Sequence, residues 1–345
     1  MLLQEQITTE KTTIKQAKLG ALTMRVLLLY RHDRSFVHRD KELLLKHFQV
    51  KPMFLTIKNI FFLPFEIMRS DCVFIWFASY HAYLAAKITR FIKRPIIVVT
   101  GGYDVAGEPE IKYGLMQNRR FLYKMVKYVL TKADRILAVS EFNKSEIKKY
   151  LGITDVEMIY NTVDSKKFHP KGKKENIAII VGFINWETIK RKGVETFVKA
   201  AKYLPDTRFI VIGKAADDSI DHLKKLASKN VEFTGFVSFE KLLEYYQKAK
   251  VYCQLSFYES YGMAPAEAML CECIPVVTKR GALPEVAGDA GFFVTYGDEK
   301  ETAEIIKKAL KSKNGKKARS RIMKLFPPGM REKRLKESVE NLVKR

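Results

Sequence analysis

Two glutamates eight positions apart, Glu259 and Glu267, enclose a short turn at residues 260–263. Apolar, strand-like runs precede and follow this segment. Because Pro265 suits the first turn of a helix, we expect a helix to open at this residue. The segment therefore reads strand, loop, helix, strand, with one carboxylate in the loop and the other in the first helical turn.

The turn and the helix start that follows it suit a nucleoside diphosphate sugar. Unpaired backbone N–H groups and the helix dipole favour phosphate at a helix N-terminus, here around Gly262, Met263 and Ala264. Gly262 also lets a ligand approach the backbone, because it has no Cβ. Because two carboxylates would repel a polyanion, we expect Glu259 and Glu267 to bind hydroxyl groups of the ligand and not its phosphates. Glu267 would accept from a ribose diol, and Glu259 would reach the sugar beyond the diphosphate.

The same stretch resembles the E-x7-E motif of retaining glycosyltransferases of the family-4 type. The residues that carry the resemblance, in family order, are Glu259, Gly262, Met263, Ala264, Pro265, Glu267, Ala268, Met269, Pro275, Val276, Val277 and Glu285. The resemblance implies that Glu259 contacts the transferred sugar and Glu267 the ribose. It also implies an α/β fold with two Rossmann-like, doubly wound domains facing a cleft, the GT-B architecture. The alternative is a capped surface helix with two solvated acids. If either glutamate were considered alone, this alternative would be favoured.

The rest of the chain shows the pattern that such a fold requires. With 345 residues, the chain is long enough for two domains. Apolar runs alternate with helical patterns, as is typical of doubly wound parallel sheets. The strand-like runs occupy residues 25–30, 73–77, 95–100, 135–139, 176–181, 208–212, 250–255 and 274–278. The helical patterns occupy residues 41–48, 80–91, 141–150, 193–202, 220–227, 241–249 and 300–310.

Composition and the resemblance together divide the chain into five parts. Residues 1–23 form a polar N-terminal extension, and residues 24–164 form a Rossmann-like domain on the acceptor side. Residues 165–176 are polar and charged, contain one proline and one glycine, and are predicted to be a linker. Residues 177–328 form the Rossmann-like domain that binds the nucleotide sugar. Residues 329–345 form a helix that crosses back to the first domain, as the resemblance implies.

The formal net charge of +24 is concentrated locally. Residues 111–133 carry six basic residues and no acid, interleaved with apolar residues. This pattern predicts a basic amphipathic helix, which would make peripheral contact with an anionic membrane. An ordinary domain helix with a solvated face is an equal alternative. We do not expect nucleic acid as a partner, because the aromatic residues fall mostly in predicted core runs.

The cysteines and the apolar runs indicate in which cellular compartment the protein is expected. Cys72, Cys253, Cys271 and Cys273 show no metal-type pairs, which indicates a reducing compartment. The N-terminal residues lack the apolar core of a signal peptide. No run approaches the roughly 20 apolar residues that span a bilayer. We therefore expect a cytoplasmic location, with association with the inner face of the cell membrane as a further hypothesis.

A loop after the predicted strand at 176–181 resembles the diphosphate-binding loop of the family. Lys192 matches the family's lysine that precedes a glycine. The family's arginine is replaced by Phe183, which leaves Lys190 or Arg191 as the candidate for its charge. A bidentate arginine and a lysine are not equivalent toward phosphate, so this replacement matters.

Another segment of the second domain, residues 230–237, resembles the family's base-binding segment. There the backbone near Val237 would pair with the base edge while Phe236 packs nearby. Two further residues are expected to be structural. Glu285 is interpreted as a cap rather than a ligand, and His81, on an apolar helix, as a hydrogen-bonded core histidine.

The loop after the predicted strand at 95–100 is the candidate acceptor-side loop. Gly101 stands where related enzymes have a histidine, Gly102 matches their glycine and Asp104 their acid. Paired glycines permit close approach of the backbone to a ligand. Asp104 is the candidate that orients the acceptor or the sugar, with a turn-forming aspartate as the alternative. Tyr103 lines the same loop.

The resemblance implies a retaining, metal-independent hexosyltransferase, and we expect no cofactor. It would use a nucleoside diphosphate sugar and a glycan or lipid-linked acceptor. Because Phe183 and Gly101 depart from the family pattern, a catalytically silent scaffold or partner subunit is the alternative. The HExxH, paired CxxC, P-loop and GxGxxG patterns are absent, so zinc hydrolases and nicotinamide enzymes are not supported. The E-x7-E block also disfavours an epimerase or a phosphorylase of similar fold.

Overall fold

The computed structural model describes residues 24–117, 121–327 and 329–344. These residues form two six-stranded sheets whose strands all pair in parallel. The first sheet has the order β2-β1-β3-β4-β5-β6. Its strands are β1 (Arg25–Tyr30), β2 (Gln49–Phe54), β3 (Cys72–Trp76), β4 (Ile96–Thr100), β5 (Arg135–Ala138) and β6 (Glu157–Met158).

The second sheet has the order β12-β11-β10-β7-β8-β9. Its strands are β7 (Glu175–Val181), β8 (Arg208–Ile212), β9 (Val231–Gly235), β10 (Ala249–Gln254), β11 (Ile274–Thr278) and β12 (Phe292–Val294). Both sheets reverse their strand order once, which is the doubly wound arrangement that the alternating pattern predicts. The predicted fold class is therefore confirmed.

Helices cover both sheets. Those of the first domain are α1 (Ser35–Leu45), α2 (Leu63–Met68), α3 (Tyr80–Ile92), α4 (Phe121–Lys132) and α5 (Glu141–Leu151). Those that follow β7 are α6 (Trp186–Arg191), α7 (Val194–Ala200), α8 (Ser219–Leu226), α9 (Phe239–Lys248), α10 (Met263–Leu270), α11 (Leu283–Ala287), α12 (Glu299–Lys311), α13 (Gly315–Leu325) and α14 (Met330–Val343).

The central strands are continuous apolar runs because both faces of each sheet are covered. Every residue of β3, β4 and β11 is buried. Alternate residues enter different cores, so Phe74 packs in one cluster and Val73 in another. This is the expected appearance of a parallel sheet between helical layers, where no face is left for alternating polar residues.

The sequence pattern missed four of the strands, namely β2, β6, β9 and β12. All four are edge strands, and two of them are only two or three residues long. β2 contains Pro52 and alternates exposed with partly buried residues, which is typical of an edge position. The helix predicted at residues 41–48 is found as α1, which begins six residues earlier and ends three residues earlier.

The basic segment at residues 111–133 is not one continuous helix. Pro109–Ile111 and Leu115–Gln117 form separate 3₁₀ turns, and α4 begins only at Phe121. Arg119 and Arg120, which were counted in the predicted helix, lie outside the described residues. The apolar side of α4 is buried in the domain core through residues Met125, Val126, Val129 and Leu130. The structure thus favours the ordinary domain helix, because the main apolar face of α4 is taken up by the domain core.

The last helix, α14, packs against α1 and β3 of the first domain. Arg331 of α14 forms a buried ion pair with Asp40 of α1, with nitrogen–oxygen distances of 2.6 and 2.7 Å. The same guanidinium donates to the carbonyl oxygens of Ile159 and Tyr160. The predicted linker at residues 165–176 ends two residues too late, since β7 already begins at Glu175.

Candidate functional site

The loops at the carboxyl ends of the two sheets meet in a cleft. The Ser260 hydroxyl, which follows β10, donates to the Gly101 carbonyl after β4 at 2.7 Å. The Ser140 hydroxyl, which follows β5, donates to the Ser260 carbonyl at 2.6 Å. Ligands of open α/β sheets bind outside the carboxyl ends of strands, so this cleft is the expected place for a site. The sequence did not single out Ser260 or Ser140 as bridging residues.

The turn after β10 ends in the N-terminus of α10. Gly262 precedes the helix with a φ of +96°, a left-handed conformation that favours glycine. The helix begins at Met263, so Ala264 and Pro265 lie in its first turn. Because the first N–H groups of a helix have no intrahelical acceptor, the amides of Met263 and Ala264 are available to an anion.

Glu259 is fixed by its backbone and leaves its side chain partly exposed. The amide of Ala282 donates to the Glu259 carbonyl at 2.8 Å. Gly281 has a φ of +59°, and a Cβ on it would lie 2.1 Å from the same carbonyl oxygen. The loop after β11 therefore needs a glycine at this position in order to hold the backbone of Glu259.

Glu267 lies in α10; the residue as a whole is only partly buried, but its carboxyl group is removed from solvent. Burial raises the pKa of Glu267 to about 7, while the Tyr246 hydroxyl and the Lys192 charge act in the opposite direction. The Tyr246 hydroxyl donates to Oε2 of Glu267 at 3.3 Å. Oε1 of Glu267 has no hydrogen-bond donor among the residues that the structure describes, so it is free to accept from a ligand.

The charges of Glu259 and Glu267 both act on Lys192. Burial lowers the pKa of Lys192, and the charges of Glu259 and Glu267 oppose that shift. Its aliphatic chain lies over Gly182, since a Cβ on that glycine would be 3.0 Å from Cδ of Lys192. Gly193, the next residue, has a φ of +67° and packs against the Leu255 carbonyl. The Lys-Gly pair thus places an ammonium group within the electrostatic influence of both carboxylates, without an ion pair to either among the described residues.

Arg191 packs toward the first domain. Its guanidinium lies 4.8 Å from the centre of the Tyr113 ring and 3.4 Å from the Glu187 carboxylate. Its charge contributes to the lowered pKa of Lys192, so the two cations are neighbours. Lys190, the other candidate for the missing arginine, is exposed. Arg191 is therefore better placed than Lys190 to supply the positive charge of the family's arginine, which Phe183 replaces.

Asp104 holds the acceptor-side loop together. Its side chain is buried, and its two oxygens accept from the backbone amides of Ala78, Gly101 and Gly102 at 2.9 to 3.1 Å. Burial raises the pKa of this carboxyl, and the backbone hydrogen bonds oppose the shift. The structure favours the alternative of a turn-forming aspartate over direct contact with a ligand. Tyr103 of the same loop is half-exposed and packs edge-on against Tyr113.

The ring of Phe77 occupies the space that a side chain at residue 101 would need. A Cβ on Gly101 would lie 2.1 Å from Cε1 of Phe77. Phe77 itself has a φ of +71°, a strained value for a bulky residue, and such strain is concentrated at functional sites. His32 and Phe36 pack edge-on against its ring. An aromatic cluster thus occupies the position that the family's histidine would have, and no sequence signal pointed to Phe77.

The predicted base-binding segment follows β9 at the edge of the second sheet. Val237 is partly buried, whereas Phe236 beside it is exposed. Ser238 caps α9 by accepting from the amide of Lys241. The backbone around Val237 thus lies at the carboxyl end of β9, at the same edge of the sheet as Lys192 and Glu259.

Glu285 is a cap, but its helix belongs to the other domain. Its two oxygens accept from the amides of Glu141 and Phe142 at 3.0 and 2.6 Å, at the start of α5. The Tyr160 hydroxyl also donates to it at 3.1 Å. A carboxylate at a helix N-terminus is stabilised by the helix dipole, so this contact ties the two domains together.

His81 is a buried core histidine, as expected. Its Nε2 lies 2.8 Å from the Trp76 carbonyl oxygen, and its Nδ1 lies 2.9 Å from the Ser79 hydroxyl. Burial lowers the pKa of His81 to about 4, so the ring is neutral at physiological pH. All four cysteines are buried free thiols, in agreement with a packing role.

Two family models match the chain and together cover residues 25–324. The model described as Glycosyltransferase Family 4 matches residues 25–167. The model described as Glycosyl transferases group 1 matches residues 162–324, which contain the E-x7-E block.

Curated relatives are similar at modest identity. The O-antigen chain mannosyltransferase RfbU of Salmonella typhimurium is 29% identical over 54% of this chain and 53% of its own. A component of the phosphatidylinositol N-acetylglucosaminyltransferase of Arabidopsis thaliana is 26% identical over 66% of this chain and 54% of its own. The chain thus spans about half the length of these relatives.

Solved structures share the fold. Sucrose-phosphate synthase from Thermosynechococcus elongatus has a TM-score of 0.74 at 15% identity, over 93% of this chain and 99% of that one. HepE from Anabaena, in complex with UDP and glucose, has the same TM-score and identity over 93% and 100%. At such identities the likeness concerns the fold alone, which is that of GT-B glycosyltransferases.

Proposed function

We propose that this chain, which belongs to the family-4, group 1 glycosyltransferases, transfers a hexose from a nucleoside diphosphate sugar to an acceptor hydroxyl with retention of configuration. The observation that carries the proposal is that the loops after β7 and β10 bring Lys192, Glu259 and Glu267 to the N-terminus of α10, near enough for both carboxylates to raise the pKa of Lys192. A cation, a free helix end and two hydroxyl acceptors match the diphosphate, the ribose and the sugar of one donor.

Each group has a separate task in this proposal. The amides of Met263 and Ala264 bind the diphosphate, and Lys192 neutralises the charge that grows on it as it leaves. Glu267 accepts from the ribose hydroxyls, and Glu259 orients the transferred sugar. The backbone near Val237 pairs with the base. Preorganised groups at developing charge are typically the largest contribution to catalysis.

The bond changes follow from this arrangement. The bond between the anomeric carbon and the diphosphate oxygen breaks, and the acceptor oxygen forms a new bond to the same face of that carbon. The acceptor proton passes to the departing diphosphate, which becomes its base. Asp104 acts as a positioning residue that holds the loop at Gly101 and Gly102 beside the acceptor. We further propose that no metal ion takes part, so turnover should persist in EDTA.

The acceptor is proposed to be a glycan or a lipid-linked molecule. Support comes from the relatives, which include an O-antigen chain mannosyltransferase and a component of a phosphatidylinositol N-acetylglucosaminyltransferase. A cytoplasmic protein at the inner face of the cell membrane would meet such an acceptor. Within the described residues, no helix is long and apolar enough to cross a bilayer.

The test of the proposal is the Lys192→Ala variant. Loss of one preorganised donor typically costs roughly 3–4 kcal/mol, so we expect turnover at saturating donor to fall by about 10²–10³-fold. The matched control is Lys190→Ala, an exposed lysine two residues earlier in α6, which should keep near-normal turnover. Near-normal turnover of Lys192→Ala would contradict the proposed role of this residue.

A catalytically silent scaffold is the second candidate function. The replacement of the family's arginine by Phe183 and of its histidine by Gly101 favours it. The retention of both glutamates and Lys192 in one place argues against it, because a scaffold has no need of them. Transfer, or slow hydrolysis of the donor, by the purified protein distinguishes the two functions.

A further inference from the structure

A group of large apolar side chains is exposed on one side of the first domain. It comprises Ile57, Phe61, Phe62, Phe65, Met68 and Phe91, whose exposed fractions range from 46% for Phe65 to 89% for Phe91. We call this group the apolar patch. Single exposed apolar residues are ordinary, but a cluster of this kind marks an interaction surface.

The exposure is a consequence of how α2 packs. Leu63 and Ile67 are fully buried against the sheet, so they already supply the inward face of this short helix. Phe61, Phe62 and Phe65 must then point away from the core. One side of this segment is thus buried in the core. The opposite side is also apolar, and no described residue covers it.

The patch belongs to a continuous helical layer. α2 packs against α3, and α3 packs against α4. All three helices bury residues in the same core cluster beneath them. Phe91 lies on α3 and the other patch residues lie on α2 or in the segment before it, so both neighbouring helices contribute to the outer surface.

This layer is strongly basic. Its segments, residues 55–69, 80–94 and 121–132, contain nine lysines and arginines and one acid, Glu66. Glu66 is paired with Lys51 at 4.0 Å. The positive charge therefore has no comparable negative charge within the layer. The basic helix that the sequence singled out, α4, is one part of this wider surface.

A cavity at the C-terminal end of α3, the helix that carries Phe91, is also lined by positive charge. Its volume is about 700 Å³, and it is lined by Arg90, Lys93, Arg94 and Lys132. Its two acids are already engaged, because Asp71 accepts from the Arg25 amide and Asp134 from the Ile96 amide. The cavity thus offers cations to an anionic group at the edge of the surface.

We propose that the outer face of α2, α3 and α4 docks on an anionic phospholipid bilayer. The apolar patch enters the interface between headgroups and acyl chains, and the surrounding lysines and arginines contact the headgroup phosphates. Apolar area together with basic charge is the combination that holds peripheral proteins on such membranes. The aliphatic members Ile57 and Met68 fit acyl chains and have no ring to stack on a nucleic-acid base. The surface would bring the proposed reaction to a lipid-linked acceptor, but its binding is measurable without turnover.

The test is co-sedimentation of the full chain with vesicles of phosphatidylcholine alone or with 30% phosphatidylglycerol. We expect binding to the anionic vesicles only, weakened by added salt because the charges are exposed. Phe61→Ser combined with Phe91→Ser should lower the binding constant about tenfold or more. Lys87→Glu combined with Arg90→Glu should lower it by a similar factor. The matched control is Phe236→Ser, an equally exposed phenylalanine of the second domain, which should bind as the wild type does.

Several outcomes would overturn the inference. Equal binding of the wild type to both kinds of vesicle would do so, and so would undiminished binding of the double phenylalanine variant. If the wild type were a dimer that this variant converts to monomer, the patch would be a contact between copies of the chain. If the variant lost binding to a labelled oligonucleotide but not to vesicles, the surface would bind nucleic acid. Because all substituted side chains are exposed, unchanged thermal melting will show that the variants fold. Transfer activity is not needed, so failure here is distinct from failure of the proposed function.

Discussion

Lys192 is the residue on which the electrostatics of the site depend. Burial disfavours its charge, and the two carboxylates beside it favour the charge. A bound diphosphate would add negative charge near the helix N-terminus and would keep the lysine protonated. An ammonium group that is poorly solvated before the donor binds interacts more strongly with the leaving group than a solvated one does.

Glu267 predicts a pH dependence of donor binding. The pKa of Glu267 is about 7, above its ordinary value, because the carboxyl is buried. The ionised form accepts from the ribose diol, so the affinity for the donor should level off above about pH 8, where nearly all of the carboxyl is ionised. It should halve near pH 7 and approach a tenfold fall for each further pH unit of acidification. Calorimetric titration with the nucleotide that binds, between pH 5.5 and 8.5, measures this profile.

Two variants act as controls for that profile. Glu267→Gln removes the titrating group and should abolish the pH dependence in this range. Tyr246→Phe removes a hydrogen bond that lowers the pKa of Glu267, so the midpoint should move to higher pH. A wild-type profile that matches that of Glu267→Gln would show that this carboxyl does not contact the donor in its ionised form.

The sequence predicts the donor half of the site better than the acceptor half. Glu259, Glu267 and Lys192 lie on one chain segment or follow adjacent strands, so their spacing places them together. Asp104 is predicted either to orient the acceptor or the sugar or to form a turn, and three backbone amides donate to its carboxylate, which favours the turn. Phe77 could not have been predicted, since its position depends on a left-handed backbone and on the absence of a side chain at residue 101.

At the scale of elements, the central strands were predictable and the edges were not. β3, β4 and β11 are buried on both faces, which imposes continuous apolar sequence. β2 and β9 have few buried residues because one side of each strand has no neighbouring strand. Their sequences are therefore constrained less by burial and carry a weaker pattern.

The helix α14 is held on the first domain by one buried ion pair. Replacing Arg331 by leucine leaves Asp40 buried with only the Trp76 indole N–H as donor among the side chains described. Removing one partner of a buried pair typically costs about 3–5 kcal/mol. We expect the urea midpoint of unfolding to fall accordingly.

The control for this prediction lies on the same helix. Arg334 pairs with Glu157 at 2.9 Å, but 43% of its side chain is exposed, so Arg334→Leu should cost no more than about 1 kcal/mol. Replacing Asp40 and Arg331 together by leucine should recover much of the loss, since no buried charge remains. Equal effects of the two single arginine variants would contradict the importance of the buried pair.

At the scale of the whole molecule, the domains touch through the site itself. Ser260 contacts the Gly101 loop, and Glu285 caps α5 across the cleft. Tyr113 lies against both Arg191 and Tyr258 of the second domain. A change in the angle between the domains would therefore move the loops that bind donor and acceptor, which couples closure of the cleft to assembly of the site.

The central claim is that the cleft binds a nucleoside diphosphate sugar through Glu267 and its neighbours. The most direct test is a thermal-shift panel with UDP, GDP, ADP and their common sugar conjugates on the wild type, Glu267→Ala and the exposed control Glu304→Ala. A ligand at about 100 times its dissociation constant stabilises by roughly 2.7 kcal/mol, which raises the melting temperature measurably. We predict a shift with one nucleotide series in the wild type and the control, and its loss in Glu267→Ala. No shift with any nucleotide, or an equal shift in all three proteins, would contradict the proposed site.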